Sequence, residues 1–291
     1  MKKRMSNPIT ALLDLLFDMH AEMGSFFKTL HENSRRLKSQ INKYVQKRKS
    51  GESKSQMEGY DLLSVFLEDQ EMFTDTRVVS NLISLIFAAT ETSQYTMQTI
   101  IGHLAQSQSK QSLEKLRQEF TESVLKPAIQ EDPSIENLPQ REQLNKVVTM
   151  DSTQDLEYTT MVMNEGLRFR TATATGQIYT PKHDLTLAGK YQVKPGDMIQ
   201  VNFEAIHHDP AQWQRPTEFL PQRFDNDDPL SLTPSGNKRH VCSFIPFHGG
   251  SRVCFGKTLA EREIKIFTTM FTQKFDFKYE DEKYDSEIAM A

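Results

Sequence analysis

The chain of 291 residues has a mass of 33.6 kDa, a formal net charge of -4, 37% hydrophobic and 25% charged residues. This is enough apolar material for a sizeable core and excludes an intrinsically disordered chain. The near-neutral balance excludes a nucleic-acid-binding protein of the strongly basic kind, and two cysteines exclude a disulfide scaffold.

No run approaches the ~20 apolar residues of a membrane span. The richest, Leu12–Phe17 and Leu82–Ala89, are short, and the opening Met1-Lys2-Lys3-Arg4 lacks the apolar core and cleavage site of a secretory signal. From Pro8 to Leu30 the apolar residues Leu12, Leu16, Met19, Met23, Phe26 and Leu30 recur at alternating steps of four and three, which predicts a helix. A basic helical stretch follows, Arg35 to Lys49, read as a solvated face rather than a site for an anionic partner. Ser50–Gly59 is polar and reads as a loop, and a short helix covers Leu62 to Leu67. The segment from Asp75 to about Gln106 has no proline and a single glycine, Gly102. Thr74 or Thr76 is positioned to cap it. Its centre, Leu82–Ala89, is apolar nearly all round, so the expectation is a buried helix crossing a large domain.

Further helices are expected from Ser109 to about Leu125 and from about Asp155 to Phe169, with Asp132–Thr153 as a polar connection between them. After Arg170 the texture becomes that of a small sheet, with short runs at Gln177–Tyr179, Leu185–Leu187, Tyr191–Val193 and Met198–Val201 punctuated by Pro181, Gly189 and Pro195-Gly196. Asp209–Pro246 is a long loop rich in proline and polar residues, of a length that is usually functional. A last helix spans Lys257 to Lys274. Helices first and a small sheet later predict a mostly helical α+β fold.

The most informative stretch is Phe247-His248-Gly249-Gly250-Ser251-Arg252-Val253-Cys254-Phe255-Gly256. Its three glycines let the backbone turn tightly against a ligand. The helix that follows presents its positive end to an anion such as a cysteine thiolate. Against this stand a buried cysteine in a glycine-rich turn, and a zinc site built from His240, Cys242, His248 and Cys254, whose spacings match no usual zinc pattern. The string resembles the haem-binding loop of the cytochrome P-450 family, Phe-x-x-Gly-x-Arg-x-Cys-x-Gly. Phe247, Gly250, Arg252, Cys254 and Gly256 fill all five fixed positions. Chance produces such a match on the order of once in ten thousand chains of this length. Leu259, Ala260 and Glu263 continue the family's pattern.

Three more segments resemble the same family, in the family's order. Glu165 and Arg168 match its Glu-x-x-Arg, a spacing that places both charges on one helix face. Ala205-Ile206-His207-His208-Asp209-Pro210, Trp213, Pro216 and the run Phe219 to Phe224 match its meander, whose arginine, here Arg223, joins the Glu165–Arg168 pair. Ala88-Ala89-Thr90-Glu91-Thr92-Ser93 matches its oxygen-activation motif, with Ala89 in place of the usual glycine.

The resemblance implies a single incomplete cytochrome P-450 domain over residues 1–291, lacking the family's N-terminal part and last hairpin. Its parts would be distal helices (1–60), a long central helix (74–106), the Glu-x-x-Arg helix (155–169), a small β-sheet (175–203), meander and cysteine loop (209–256) and proximal helix (257–274). It implies haem b (iron protoporphyrin IX) with Cys254 as axial thiolate, Arg252 on a propionate, Phe247 beside the thiolate, Thr92 hydrogen-bonding dioxygen and Glu91 relaying protons. No arginine lies in Thr173–Thr180, where relatives place a second propionate partner; Gln177 is the nearest polar candidate. The implied reaction is insertion of one oxygen atom of dioxygen into a lipophilic substrate. Electrons would come from a reductase using NADPH, for which Lys257, Arg262 and Lys265 could offer a basic docking face; no nucleic acid is expected as partner, and the endoplasmic reticulum membrane is expected as the location if the full-length protein has an N-terminal anchor. The competing expectations are a truncated, non-catalytic remnant with weak or no haem binding, and the zinc module.

Overall fold

The computed structural model describes residues 20–53, 61–69 and 71–280. Positions 8–19 of the first expected helix, 54–59 of the first expected loop and 281–291 lie outside the described residues. The chain groups into two compact units that divide between Ala88 and Ala89.

In the first unit, helix α1 (His20–Lys49) is unbroken, so the basic stretch is its C-terminal half. Arg35, Arg36, Lys38, Lys43 and Lys47 are exposed, whereas Arg48 pairs with Asp61 at 2.8 Å and Lys49 with Asp75 at 2.8 Å. Asp61 also caps α2 (Leu62–Glu68) by accepting the Ser64 N–H at 2.8 Å. Helix α3 (Asp75–Leu104) starts where the Thr74 carbonyl accepts the Val78 N–H, which leaves Thr76 inside the helix. Val45, Leu63 and Val78 form the core of this unit, with Ile41, Phe66 and Phe73 packed around them.

Helix α3 corrects the expectation of burial. Ile86 is 49% and Phe87 54% exposed, and Ala88, Ala89, Thr90 and Glu91 are exposed too. A helix that is apolar all round is buried only where neighbours cover every side. Among the described residues, only part of this one's circumference is covered.

The second unit packs the end of α3 against α4 (Lys110–Phe120), α7 (Glu157–Phe169) and α9 (Lys257–Lys274). Ile100, Leu104, Leu116, Val162, Met163, Leu167 and Ile264 form this core. Gly166 makes the α3–α7 contact possible: a Cβ there would sit 2.6 Å from the buried Ile100 Cγ1. Leu156, at the start of α7, has no capping side chain. Glu119 of α4 supplies the cap instead, accepting the Tyr158 N–H at 2.6 Å and the Thr159 N–H at 2.9 Å.

Helix α4 runs through a π turn (Thr121–Leu125) into α5 (Lys126–Glu131). The expected polar connection holds a further helix, α6 (Gln140–Val147), whose Leu144 and Val147 join Phe120, Val124, Ile135 and Leu156 in a second core. The expected sheet is two antiparallel ribbons rather than one. Strand β1 (Ile178–Tyr179) pairs with β4 (Ile199–Gln200), and β2 (Leu185–Leu187) with β3 (Tyr191–Val193). Helix α8 (Phe203–His207) opens the meander, which continues in short 3-10 turns up to α9.

Candidate functional site

The site is built on a buried charge network. Glu165 lies in α7, three residues before Arg168, and both are fully buried. Arg168 grips the carboxylate bidentately, with Nε at 2.7 Å from Oε2 and a terminal nitrogen at 2.8 Å from Oε1. Arg223, also fully buried, reaches Oε1 through Nε at 3.1 Å, and the Leu220 N–H donates to it at 2.7 Å. The two guanidiniums hold the meander by its backbone. Arg168 donates to the carbonyls of His207 and Pro216, each at 2.9 Å, and of Glu218 at 3.2 Å. Arg223 donates to the carbonyls of Gln214, Arg215 and Glu218. Burial pushes the Arg223 guanidinium below its ordinary range, partly offset by Glu165.

Two partners of this network did not emerge from the motifs. Arg239 donates to the Arg223 carbonyl at 2.7 Å and the Leu230 carbonyl at 2.8 Å, and its guanidinium lies 4.3 Å from the centre of the Trp213 ring. Burial, with Arg223 nearby, pushes Arg239 down to about 10. Trp213 is 1% exposed and also carries Arg168 at 5.3 Å. No short-range pattern in the sequence marks Arg239 as part of the network.

His207 is the other partner. Its ring is fully buried, accepts the Ile245 N–H on Nε2 at 3.0 Å, and meets Thr171 Oγ1 through Nδ1 at 2.7 Å. Thr171 in turn donates to the Leu167 carbonyl at 3.0 Å. Burial, then the neighbouring Arg168 and His208, push its pKa down to about 3, so the ring is neutral.

The cysteine loop follows. Phe247 packs against the second unit's main core, and its carbonyl accepts the Cys254 N–H at 2.8 Å, closing the loop. Gly250 has φ +67° and His248 φ +64°, which gives the loop its tight path. Cys254 lies three residues before α9, and its carbonyl accepts the Lys257 N–H at 3.3 Å. Its thiol is free and exposed. Arg252 is exposed, as are the apolar flanks Val253 and Phe255, the latter 75%. Side chains added at Gly249 or Gly250 would meet open space, and one added at Gly256 would touch Cys254 Sγ at 3.8 Å.

On α3, Thr92 is half-buried and its carbonyl accepts the Thr96 hydroxyl at 3.2 Å, while Glu91 is exposed. Ser93, the last residue of that motif, donates to Glu263 of α9 at 3.1 Å, joining two motif residues that sequence spacing alone does not connect. Of the basic residues on α9, Lys265 is half-buried and donates to the Gln154 carbonyl at 2.7 Å, so its charge is spent inward. Lys257 lies 3.9 Å from Glu261.

The donor set suits haem. An exposed thiol suits the metal, an exposed guanidinium suits a propionate, and open apolar flanks suit a flat macrocycle. Zinc lacks an equivalent set: among the described residues, no three His, Cys, Asp or Glu side chains converge on one point, and His240 Nδ1 accepts the Cys242 N–H at 3.1 Å.

The comparisons point to the same family. A family model described as Cytochrome P450 matches residues 1–290. Cytochrome P450 81F4 of Arabidopsis thaliana is 27% identical over 260 residues, which is 89% of this chain and 46% of that protein. Cytochrome P450 734A5 of Oryza sativa subsp. japonica is 34% identical over 143 residues, covering 49% and 24% of the two. Cytochrome P450 3A11 of Mus musculus is 30% identical over 207 residues, covering 70% and 35%. The match thus spans less than half the length of these relatives. With four motifs in order, a family model over nearly its full length and a glycine loop that ends in an exposed thiol, the chain belongs to the cytochrome P450 family.

Proposed function

We propose that this chain carries the haem-thiolate centre of a monooxygenase that inserts one oxygen atom of dioxygen into a lipophilic substrate and releases the other as water. The observation behind this reading is Cys254, free and exposed beside the positive end of α9, in a loop closed by the Phe247 carbonyl. When bound, haem b supplies the dioxygen chemistry, and a thiolate ligand favours O–O cleavage.

The protein's own residues have separable tasks in this reading. Cys254 supplies the sulfur ligand from the loop just ahead of α9. Arg252 holds a propionate, and Val253 and Phe255 exclude water from the macrocycle's edge. Phe247, with Gly250 and Gly256, fixes the loop's path. Thr92 offers a hydroxyl proton on the α3 side, and exposed Glu91 exchanges protons with solvent to replenish it. Glu165, Arg168 and Arg223 do no chemistry; they hold the meander that leads into the cysteine loop. A reductase using NADPH as partner, and placement at the endoplasmic reticulum membrane, belong to the same proposal. No helix among the described residues is long and apolar enough to cross a membrane.

The test is the ferrous–CO spectrum of the full chain reconstituted with haem. A red-shifted thiolate Soret band is expected, and Cys254→Ala removes it. A Soret band that the substitution leaves unchanged overturns Cys254 as ligand. The remnant reading draws on the exposed Ile86–Phe87 face of α3. An anaerobic haem titration with no saturable binding would favour it.

A further inference from the structure

The lock around Glu165 and the loop that ends in Cys254 are separate motifs in sequence, 89 residues apart at their centres. In the structure His207 touches both the lock and the segment that leads into the loop. The His207 carbonyl accepts from Arg168 at 2.9 Å, while its ring accepts the Ile245 N–H at 3.0 Å. Ile245 is two residues before Phe247, whose carbonyl accepts the Cys254 N–H at 2.8 Å. We propose that His207, as the Nδ1–H tautomer, is the positioning residue that transmits the fixed geometry of the Glu165–Arg168–Arg223 lock to the cysteine loop.

The tautomer follows from hydrogen-bond logic. A backbone N–H can only donate, so Nε2, which faces Ile245, must carry a lone pair. The proton therefore sits on Nδ1 and donates to Thr171 Oγ1. The Thr171 hydroxyl is left with its own proton to give, and the Leu167 carbonyl in α7 takes it. Every group in the relay from Ile245 through His207 and Thr171 to Leu167 is used once as donor or acceptor in one direction. Reversing the tautomer would set two N–H donors face to face at Ile245. Protonating the ring would do the same. Full burial of His207 and the nearby charges of Arg168 and His208 oppose that proton. The Phe244 ring, 5.5 Å from the imidazole, covers it on the loop side.

The relay also has an anchor independent of the lock. Thr171, two residues past the end of α7, bonds back to the Leu167 carbonyl, so both ends of His207, carbonyl and ring, are tied to the one helix that carries Glu165 and Arg168. The loop is thereby referred to a rigid element rather than to the meander's own turns. A loop positioned in this way keeps its thiol in place without contacts from the ligand it is to hold.

This inference takes from the proposed function only the purpose of the loop, and its test reads the loop alone. A chain that never takes up haem would fail the spectral test without failing this one. The experiment uses the full chain labelled with 15N. The His207 Nε2 resonance is expected in the range of an unprotonated imidazole nitrogen and Nδ1 in that of N–H. Thr171→Val removes the acceptor of the Nδ1 proton but leaves the Ile245 N–H facing Nε2, so Nε2 should stay unprotonated, and a shift to the Nε2–H form overturns the proposal. In amide exchange, His207→Leu should lower protection at both Ile245 and Cys254 by about tenfold, with the amides of α4 unchanged. His207→Gln, which returns an acceptor near the Nε2 position, should restore both to within about threefold. A protonated Nε2 in the unsubstituted protein overturns the proposal. So does His207→Leu if it leaves the Cys254 amide within about twofold, or lowers α4 equally, as general loosening would. Should His207→Leu fail to fold, the tautomer measurement and Thr171→Val decide alone.

Discussion

Replacing Glu165 by glutamine changes one oxygen into an amide and nothing in volume, yet the structure assigns it a large cost. The carboxylate accepts four bonds, three from guanidinium nitrogens and one from the Leu220 N–H, at 2.7 to 3.1 Å. An amide oxygen can take over the Oε1 side. The NH2 then faces Arg168 Nε at the Oε2 position, donor against donor. Two fully buried guanidiniums also lose the carboxylate with which both pair. Breaking such a buried pair costs about 3–5 kcal/mol, against a total stability of about 5–15 kcal/mol for an ordinary domain. The protein carries its own reporter. Trp213 is its only tryptophan, is 1% exposed and lies against both Arg168 and Arg239. Urea denaturation followed by Trp213 fluorescence should show the Glu165→Gln unfolding free energy lowered by that amount, read as a lower midpoint at unchanged slope. A loss below about 1 kcal/mol, the level of an exposed ion pair, would refute the reasoning that this network is closed to water and holds the meander.

The remaining expectations concern packing and pH. Gly166→Ala should destabilise by about 1–3 kcal/mol, because its Cβ would lie 2.6 Å from a buried Ile100 atom with little room to yield; a thermal midpoint equal to the parent's would contradict the α3–α7 contact. His103, pushed down to about 4 mainly by burial, and His207, pushed to about 3, are both neutral in the folded chain. Their unfolded counterparts take up protons below about pH 6.5, so stability is complete above that value and falls as pH drops toward the folded values. From pH 7 to 5 the loss is about 2 kcal/mol per histidine, and a flat stability profile in urea over that range would exclude neutral buried rings.

What the sequence made legible is what is encoded within a few residues. Helix α9 runs from Lys257 to Lys274 as expected, because Gly256 ends the loop and the apolar spacing begins at once. The four strands fall within a residue or two of their expected places, because Pro181, Gly189 and Pro195-Gly196 punctuate them. Helix α6 was hidden because it offers only Leu144 and Val147 to a core and sits between Pro139 and a polar turn. The burial of α3 was misjudged because apolar patterning states what a helix needs, while burial depends on what its neighbours supply. At the site, Glu165 and Arg168 were visible as a spacing of three. The carbonyls they serve, the stacking of Arg239 on Trp213 and the two grips of His207 were not visible, since each is a meeting of segments tens of residues apart.

The acceptors that Arg168 and Arg223 find in the meander are all main-chain carbonyls: those of His207, Gln214, Arg215, Pro216 and Glu218. A carbonyl is the same whichever residue bears it. The network therefore dictates the route of the chain and makes no demand of its own on the side chains at 214, 215 and 218, which find their partners elsewhere. As far as the two guanidiniums are concerned, a meander of different composition that follows the same path offers them the same acceptors.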